Sequence, residues 1–286
     1  MTKLMLSVVV PTKNEEANIA ACLGAFAPVR NEVELIVVDN SSPDATREIA
    51  ERCGAKVLVQ GPERCAQRNR GWRESSAEYV MFVDADMVVP PETAREILEV
   101  CASEDAPDAL YVPETRVGTG LRIKARNFER GFYDGTCIDG LRVIRRSILE
   151  AVGGYDESLV ACEDWDLDRR LVAAGARTST TRGVLFHNEA NQSLKALLRK
   201  KAYYSKSVAA YRAKWNDDET CGKQFGLAYR FFGVFVENGK WKRLLRHPIL
   251  AAAMYMERIA VGFTYLLNRR ATLWRRGIRQ DATSAC

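Results

Sequence analysis

Residues 79–86 read YVMFVDAD, a run of large apolar residues that ends in two aspartates one residue apart, Asp84 and Asp86. A continuous apolar run of this length predicts a strand over Tyr79–Asp84, in a sheet that is covered on both faces. The aspartates would then leave the sheet at its carboxyl edge, where α/β proteins bind ligands. Carboxylate oxygens suit Mg²⁺ or Mn²⁺, which can hold a diphosphate. The alternative is an ordinary acidic loop, because so short a motif is common.

Similar apolar runs lie on both sides of this segment and alternate with amphipathic stretches. They predict further strands at Leu4–Val10, Val33–Asp39, Lys56–Gln60 and Ala109–Pro113. Helices are predicted between the first strands, at Glu92–Cys101, and at Asp164–Ala174, where Gly175 ends the helix. This alternation is typical of an α/β protein with a mostly parallel central sheet. No GxGxxG follows the first strand, which argues against a dinucleotide-binding dehydrogenase.

The composition is that of a folded globular protein, but the charge is unevenly distributed along the chain. Of the 286 residues, 47% are hydrophobic and 28% are charged, which excludes disordered and collagen-like chains. The formal net charge is +5, yet residues 194–280 contain 19 Lys and Arg against 5 Asp and Glu, a net of +14. Residues 1–193 have a net charge of −8. The acidic body and the basic segment therefore require separate explanations.

The eight cysteines do not form the pattern of a disulfide framework or of a zinc site, because no CxxC pair occurs. They lie at positions 22, 53, 65, 101, 137, 162, 221 and 286. The apolar start of the chain reaches Pro11 and Lys13 too early for a signal peptide. We therefore expect reduced thiols in a cytoplasmic protein.

Five further polar segments accompany the two aspartates in a fixed order. They are PTKNEE (11–16), DNSS (39–42), AQRNRG (66–71), CEDWD (162–166) and FHNE (186–189). The first two follow predicted strands and would lie on the same sheet edge as Asp84 and Asp86. This ordered set resembles the motifs of family-2 glycosyltransferases, and the resemblance covers about residues 4–190. It implies a GT-A-type nucleotide-sugar-binding domain.

The resemblance implies a nucleotide site at the carboxyl edge of the sheet. The residues that would contact the nucleotide are Pro11, Thr12, Asn14, Glu15, Asp39, Arg68 and Asp84. Among them, Asp39 would accept hydrogen bonds from the base and Asp84 would contact the ribose and the metal-bound diphosphate. A turn role for Asp39 and a solvated helix charge at Arg68 are the alternatives. Lys13 stands where many relatives have an aromatic residue, so the base, uracil or guanine, stays open.

The resemblance also implies a divalent metal, Mg²⁺ or Mn²⁺, and a catalytic carboxylate. Asp86 and Asp84 would bind the metal, and His187 would complete its shell or touch the diphosphate. Of the pair Glu163 and Asp164, the second would be the base that takes a proton from the attacking sugar hydroxyl. A single base with no carboxylate nucleophile implies one displacement with inversion. The alternatives are a helix-start role for Asp164 and a structural role for His187.

Two residues near the acidic pair are expected to contact substrate, Trp165 and Asp139, although packing is an equally simple role for Trp165. Residues 122–130 form a basic stretch. This stretch is either a solvated face, or a contact to an acceptor phosphate or a closing lid.

The sequence changes in character after Asn191, where Ser193 can begin an amphipathic helix. Further on, Ile249–Leu267 is apolar except for Glu257 and Arg258 near its centre. At the centre of a membrane span, Arg258 would cost on the order of 2.5–3.5 kcal/mol and Glu257 somewhat less. We therefore predict a helix that lies in the membrane plane or packs on the protein, rather than one that crosses a membrane.

Basic residues beside Tyr and Trp fit a helix on an anionic lipid surface. We expect two parts, a GT-A-like domain at 1–191 and a basic helical region at 192–286 that attaches peripherally to the cytoplasmic face of the cell membrane. An ordinary helical cap, or a surface buried in a dimer, is the alternative. Nucleic acid is not expected as a partner, because no recognition motif accompanies the charge.

The predicted activity is transfer of a sugar from a UDP- or GDP-sugar to a lipid-linked or growing glycan acceptor in cell-envelope polysaccharide or glycoconjugate synthesis. One alternative is a sugar-phosphate nucleotidyltransferase, which would need a glycine-rich basic loop where this chain has PTKNEE. Another is a catalytically silent nucleotide-sugar-binding protein at the membrane.

Overall fold

The structure, a computed structural model, describes residues 4–188 and 208–259. Its strands are Leu6–Thr12 (β1), Val33–Asp39 (β2), Lys56–Val59 (β3), Tyr79–Phe82 (β4), Met87–Val88 (β5), Ala109–Tyr111 (β6), Glu114–Arg116 (β7), Val143–Arg145 (β8), Thr178–Thr180 (β9) and Leu185–His187 (β10). Seven of them form the central sheet in the order β3-β2-β1-β4-β8-β6-β9. The other three form a small sheet in the order β5-β10-β7.

Twelve α-helices lie in the described residues. They are Ile19–Gly24 (α1), Thr46–Arg52 (α2), Arg64–Arg73 (α3), Pro91–Ala102 (α4), Leu121–Arg130 (α5), Arg146–Ala151 (α6), Glu163–Ala173 (α7), 208–214 (α8), Glu219–Phe225 (α9), Val234–Val236 (α10), Trp241–Arg246 (α11) and 248–259 (α12). Short 3₁₀ turns occur at Ala27–Val29 and Glu237–Gly239, and a π-helical turn at Tyr229–Gly233. Gly175 follows α7 with a φ of +84°, as the sequence predicts.

The central sheet is mostly parallel, which confirms the predicted fold class. β1 pairs in parallel with β2 and β4, and β2 pairs in parallel with β3, whereas β8 is antiparallel to both of its neighbours. β1 continues two residues past its predicted end, because Pro11 and Thr12 stay in register with Val38 and Asp39. The polar segments that follow β1, β2 and β4 therefore lie at one edge of the sheet.

Both faces of the sheet are covered, which explains the continuous apolar runs. Along β1, Val10 packs in the same core cluster as Ile19 of α1. Its neighbour Val9 points to the opposite face and packs with Trp72 of α3 and Leu171 of α7. Successive side chains of the strand thus enter two different cores.

The C-terminal helices pack on α5 and α7. The ring centroids of Phe132 and Phe235 are 5.1 Å apart, and Met254 of α12 is buried in the same cluster. Within the described ranges, no helix has both the length and the apolar character required to span a bilayer. Ser193, the boundary at 191/192 and the second half of the predicted helix Ile249–Leu267 lie outside the described residues.

Candidate active site

A cleft of about 510 Å³ opens at the carboxyl edge of β1, β2 and β4. The predicted site residues that line it are Pro11, Thr12, Glu15, Asp84, Asp86 and His187. Hydrogen bonds hold the segment after β1 against the segment after β2. The backbone N–H of Asn14 donates to Ser42 Oγ at 2.8 Å, and that of Glu15 donates to Thr46 Oγ1 at 2.8 Å. Asn14 itself has a left-handed φ of 58°. The floor of the cleft is therefore formed by loops that the sheet and α2 fix in place.

Asp39 is not among the residues that line this cleft, and its predicted contact with the base stays a prediction. Its carboxylate is fully buried and accepts hydrogen bonds from the Ser42 backbone N–H at 2.7 Å and from the Ser42 and Thr12 hydroxyls at 2.5 and 3.1 Å. Burial of a carboxylate is tolerated where donors satisfy its oxygens. In this structure Asp39 therefore holds the two loops together, which is closer to the turn role that the sequence left open.

Arg68 of α3 connects the cleft to the start of α7. Its side chain is 2% exposed, with Nη2 at 3.1 Å from Asp84 Oδ1 and Nη1 at 2.8 Å from Asp164 Oδ1. The guanidinium also lies 5.0 Å from the centre of the Tyr155 ring. Burial opposes the charge on Arg68, but the surrounding carboxylates outweigh it and raise its pKa. Arg68 is thus a buried cation shared by two predicted site residues, not a solvated helix charge.

The acidic pair lies at the first turn of α7, directly after Cys162, whose φ is +65°. No side chain caps this helix, so the Asp164 carboxylate is not used as a cap. It accepts hydrogen bonds from Arg68 and, at 3.3 Å, from the Tyr155 hydroxyl. Burial and the neighbouring Asp164 raise the pKa of Glu163, while Arg68 opposes this shift. Two carboxylates of different burial therefore lie side by side at a helix N-terminus, which favours negative charge.

His187 lies between two carboxylates. Its Nε2 is 3.2 Å from Asp86 Oδ2, and its Nδ1 is 2.7 Å from Glu114 Oε1. Burial disfavours the charged imidazole, but these two hydrogen bonds prevail and raise the pKa of His187 to about 10. Glu114 Oε2 in turn accepts from Arg142 at 3.3 Å. Glu114 and Arg142 were not predicted from the sequence, because Glu114 lies in a three-residue strand and Arg142 directly before another, and neither strand gives a periodic signal.

The three predicted metal ligands are only partly brought together. Within the described ranges, no group of three or more His, Cys, Asp or Glu is arranged to hold a metal ion. Asp84 is engaged by Arg68 and lies 3.6 Å from Arg64, whereas Asp86 and His187 adjoin each other in the cleft. Carboxylate oxygens suit Mn²⁺ or Mg²⁺, which commonly take remaining ligands from water and substrate phosphates, whereas an imidazole binds a cation only in its neutral form. The Asp86 carboxylate therefore fits a divalent cation, and His187 would join it only on losing its proton.

The two predicted substrate residues border a smaller cavity of about 130 Å³ beside Asp164. Asp139 accepts hydrogen bonds from Arg130 at 2.9 Å and from the Gly135 backbone N–H at 2.9 Å. Trp165 lines the cavity and also packs edge-on against Phe225, with ring centroids 5.7 Å apart. Both the packing role and the cavity-lining position are therefore observed for Trp165.

The basic stretch at 122–130 is paired with carboxylates. Arg122 and Arg126 lie 3.3 and 3.7 Å from Glu257 of α12, and Arg130 is bonded to Asp139. Two of these arginines thus connect α5 to the C-terminal helices.

The fold and the cleft define an α/β protein whose ligand site lies at the carboxyl edge of parallel strands, with carboxylates at the ends of those strands. Residues 7–153 match the family model "Glycosyl transferase family 2", which is about half of the chain. The chain belongs to this family, as its motifs indicate.

Relatives and solved structures agree with this assignment. The chain is 28% identical over 201 residues to the succinoglycan biosynthesis protein ExoA of Rhizobium meliloti (strain 1021), with 62% of this chain and 61% of the relative aligned. The chain thus spans less than two thirds of that relative. The mannosyltransferase PcManGT from Pyrobaculum calidifontis, in complex with GDP-Man and Mn²⁺, superposes with a TM-score of 0.59 at 20% identity over 96% of this chain and 81% of that one. Staphylococcus aureus TarS 1-349 in complex with UDP-GlcNAc gives 0.58 at 21% identity over 87% and 79%. These superpositions show the GT-A fold.

Proposed function

We propose that the protein is an inverting, metal-dependent glycosyltransferase that uses a UDP- or GDP-sugar. The observation that carries this proposal is the buried Arg68, which ties Asp84 in the cleft to Asp164 at the start of α7. It holds the predicted base at a fixed distance from the predicted diphosphate site. Fixed positioning of this kind supplies a large part of the rate enhancement in group transfer between two substrates.

In the proposed reaction, Asp164 takes the proton of an acceptor hydroxyl as its oxygen attacks the anomeric carbon. The bond to the nucleoside diphosphate breaks in the same displacement, so the configuration at that carbon inverts. A divalent cation held by Asp86, and by His187 once it has lost its proton, would neutralise charge on the leaving diphosphate. Glu163 is the more buried member of the acidic pair, which leaves the more exposed Asp164 as the carboxylate that an acceptor can reach.

The names of the relatives suggest an acceptor class. ExoA is named for succinoglycan biosynthesis, and TarS for a poly(ribitol-phosphate) acceptor. We propose a lipid-linked or growing glycan of the cell envelope as acceptor, and peripheral attachment of the protein at the inner face of the cell membrane.

Donor hydrolysis by the purified chain tests the activity, with a panel of UDP- and GDP-sugars and Mn²⁺ or Mg²⁺. Asp164→Asn should reduce the rate about 10²–10⁴-fold because the proton acceptor is lost, and Asp86→Ala should raise the metal concentration needed. Glu150→Gln, an exposed carboxylate of α6, is the matched control and should leave the rate unchanged. Full activity in both site variants would overturn the assignment, and donor binding without turnover in the wild type would indicate a silent binding protein.

A further inference from the structure

The last described helix, α12, carries its charges toward the protein and its apolar side chains toward solvent. Its exposed positions are 248, at the start of the helix, and 249, 252, 256 and 259; the last four are three or four residues apart and so share one face. All four are apolar, and Ile249, Met256 and Ile259 are 71%, 64% and 62% exposed. We call Ile249, Ala252, Met256 and Ile259 the outer face of α12. A surface helix of a soluble domain ordinarily has the opposite arrangement.

The charged side chains of α12 that face the protein are paired with residues of α5 and of the segments next to it. Glu257 lies 3.3 Å from Arg122, and Arg258 is bonded to Glu129 and, at 2.7 Å, to the Tyr133 hydroxyl. Arg258 also lies 4.7 Å from the centre of the Phe231 ring. These contacts fix the rotation of the helix about its axis, so that the apolar stripe cannot turn inward without breaking the ion pairs. The two charges that interrupt the apolar sequence therefore do not interrupt the apolar surface.

Exposed apolar and basic side chains continue into the preceding helix, α11. Trp241 and Leu245 are 46% and 70% exposed, and Lys242 and Arg246 are exposed between and beside them. Lys242 and Arg246 therefore place two exposed positive charges beside the apolar side chains of α11. An apolar stripe bordered by Lys, Arg and Trp matches an anionic bilayer interface, where rings and aliphatic chains enter the acyl boundary and cations meet lipid phosphates.

We propose that the outer face of α12, together with Trp241 and Leu245, is the surface by which the protein docks on an anionic lipid bilayer. This inference gives a defined contact surface to the membrane attachment in the proposed function, on which it rests. The surface binds in the plane of the membrane, with the axis of α12 parallel to it, because α5 holds the other side of the helix. Docking then orients the catalytic domain relative to a lipid-linked acceptor.

The test is flotation of the full chain with vesicles of phosphatidylglycerol and phosphatidylcholine, beside vesicles of phosphatidylcholine alone. Ile249→Ser/Met256→Ser/Ile259→Ser should reduce partitioning into the anionic vesicles at least about tenfold, since three large apolar side chains leave the interface. Val59→Ser/Val172→Ser is the matched control, because these valines are 55% and 54% exposed elsewhere on the protein. Lys242→Glu/Arg246→Glu should weaken binding at low salt and lose that difference as salt is raised.

Circular dichroism and thermal unfolding establish that each variant is folded. Unchanged flotation of the triple serine variant would overturn the docking surface, as would a wild-type protein that ignores anionic vesicles at low salt. A wild-type dimer that the triple variant converts to a monomer, without any flotation, would assign the face to a second copy and equally overturn the proposal. Donor hydrolysis without vesicles should be the same in wild type, triple variant and control. A failure of hydrolysis in all three would contradict the proposed activity and leave the docking result intact.

Discussion

At the scale of single residues, Arg68 contacts two of the other predicted site residues at once. Its guanidinium contacts carboxylates that are 16 and 96 residues away in sequence, and it is almost completely buried. Two parallel pairs of N–H donors allow arginine to bind separate carboxylates at once, whereas the lysine ammonium is a single point of charge on a flexible chain. The order of the motifs predicts Arg68, Asp84 and Asp164 as site residues. That Arg68 bridges the two aspartates is visible only in the fold.

Replacing Arg68 with methionine should lower the free energy of unfolding by about 1–3 kcal/mol at pH 7, because the partly exposed carboxylates of Asp84 and Asp164 lose their buried counter-ion. The loss of stability should depend on pH because of Asp84. Burial works against its ionised form, but Arg68 and Arg64 outweigh burial and lower its folded pKa. Its stabilisation is therefore present above the unfolded pKa and lost as pH falls. The deficit of the variant should consequently be full at pH 7 and smaller at pH 3, below the unfolded pKa of about 4.

Urea unfolding of the Arg68→Met variant and the wild type at both pH values measures this effect. Arg70→Met is the control on the same helix, because Arg70 is exposed and pairs with Glu74 four residues away. Such a pair contributes about 0.3–0.5 kcal/mol. Equal losses in the two variants would show that the buried bridge does not hold the site together.

Asp168 provides a second test of pH-dependent stability, in which the pKa in the folded state is raised rather than lowered. It is buried in α7, where its Oδ1 accepts a hydrogen bond from the Tyr111 hydroxyl at 2.8 Å, and burial raises its pKa to about 6. A carboxyl group with a raised folded pKa stabilises the fold below the unfolded pKa, about 4, and this stabilisation is lost as pH rises through the folded value. An asparagine side chain at this position would still accept the Tyr111 bond but would have no charge to bury.

We therefore expect Asp168→Asn to be more stable than the wild type at pH 8, by about 2–3 kcal/mol for a shift of about two units. The difference should disappear near pH 4. Thermal unfolding at the two pH values checks both parts of this expectation. Stability that is equal at pH 8 would mean that the Asp168 carboxylate is not held in a low-dielectric site.

At the scale of elements, the close packing of α3 on the sheet depends on Gly71. A Cβ at this position would lie 2.3 Å from Val9 Cγ1, far inside van der Waals contact. This approach brings Arg68, on the same helix, under the carboxyl edge of the sheet. The glycine ends the AQRNRG segment, so part of that motif has a packing explanation rather than a chemical one.

Gly71→Ala should destabilise the protein by about 1–3 kcal/mol through overpacking. Gly24→Ala is the matched control, because a Cβ there would meet nothing within 4 Å and the residue is the last of a helix. There the substitution should be neutral or stabilising by up to about 1 kcal/mol. Chemical denaturation of both variants separates steric strain from helix propensity. A Gly71→Ala variant as stable as Gly24→Ala would contradict the close approach.

A comparison of the strands explains why some elements could be predicted from the sequence and others could not. β1, β2 and β4 are buried on both faces, so their apolar runs alone identify them. β7 and β9 are two short strands whose residues are half-buried or exposed, and neither has an apolar pattern. Tertiary pairing, rather than local propensity, makes them strands. Glu114 lies on β7, which is why this partner of His187 was not predicted from the sequence.

At the scale of the whole molecule, the end of the family resemblance, the change in helical pattern and the charge predict a GT-A-like domain at 1–191 and a basic helical region at 192–286. In the described residues, these two parts share hydrophobic clusters. Phe128 and Phe132 are buried with Phe235 and Met254, and Leu159 is buried with Tyr211. Charge asymmetry reports which surfaces meet solvent or a partner, and it carries no information about which side chains share a core.

A fragment of residues 1–191 should therefore be less stable than the full chain. Removing the C-terminal helices would expose Phe128, Phe132, Ile138 and Leu159, each worth on the order of 1.5–3 kcal/mol when fully buried. The fragment should unfold at lower urea concentration than the full chain and bind a hydrophobic dye. Equal midpoints for fragment and full chain would instead show that 192–286 is an independent appendage. The shared clusters predict that the catalytic fold is completed by the same helices that present the docking surface, so that loss of one impairs the other.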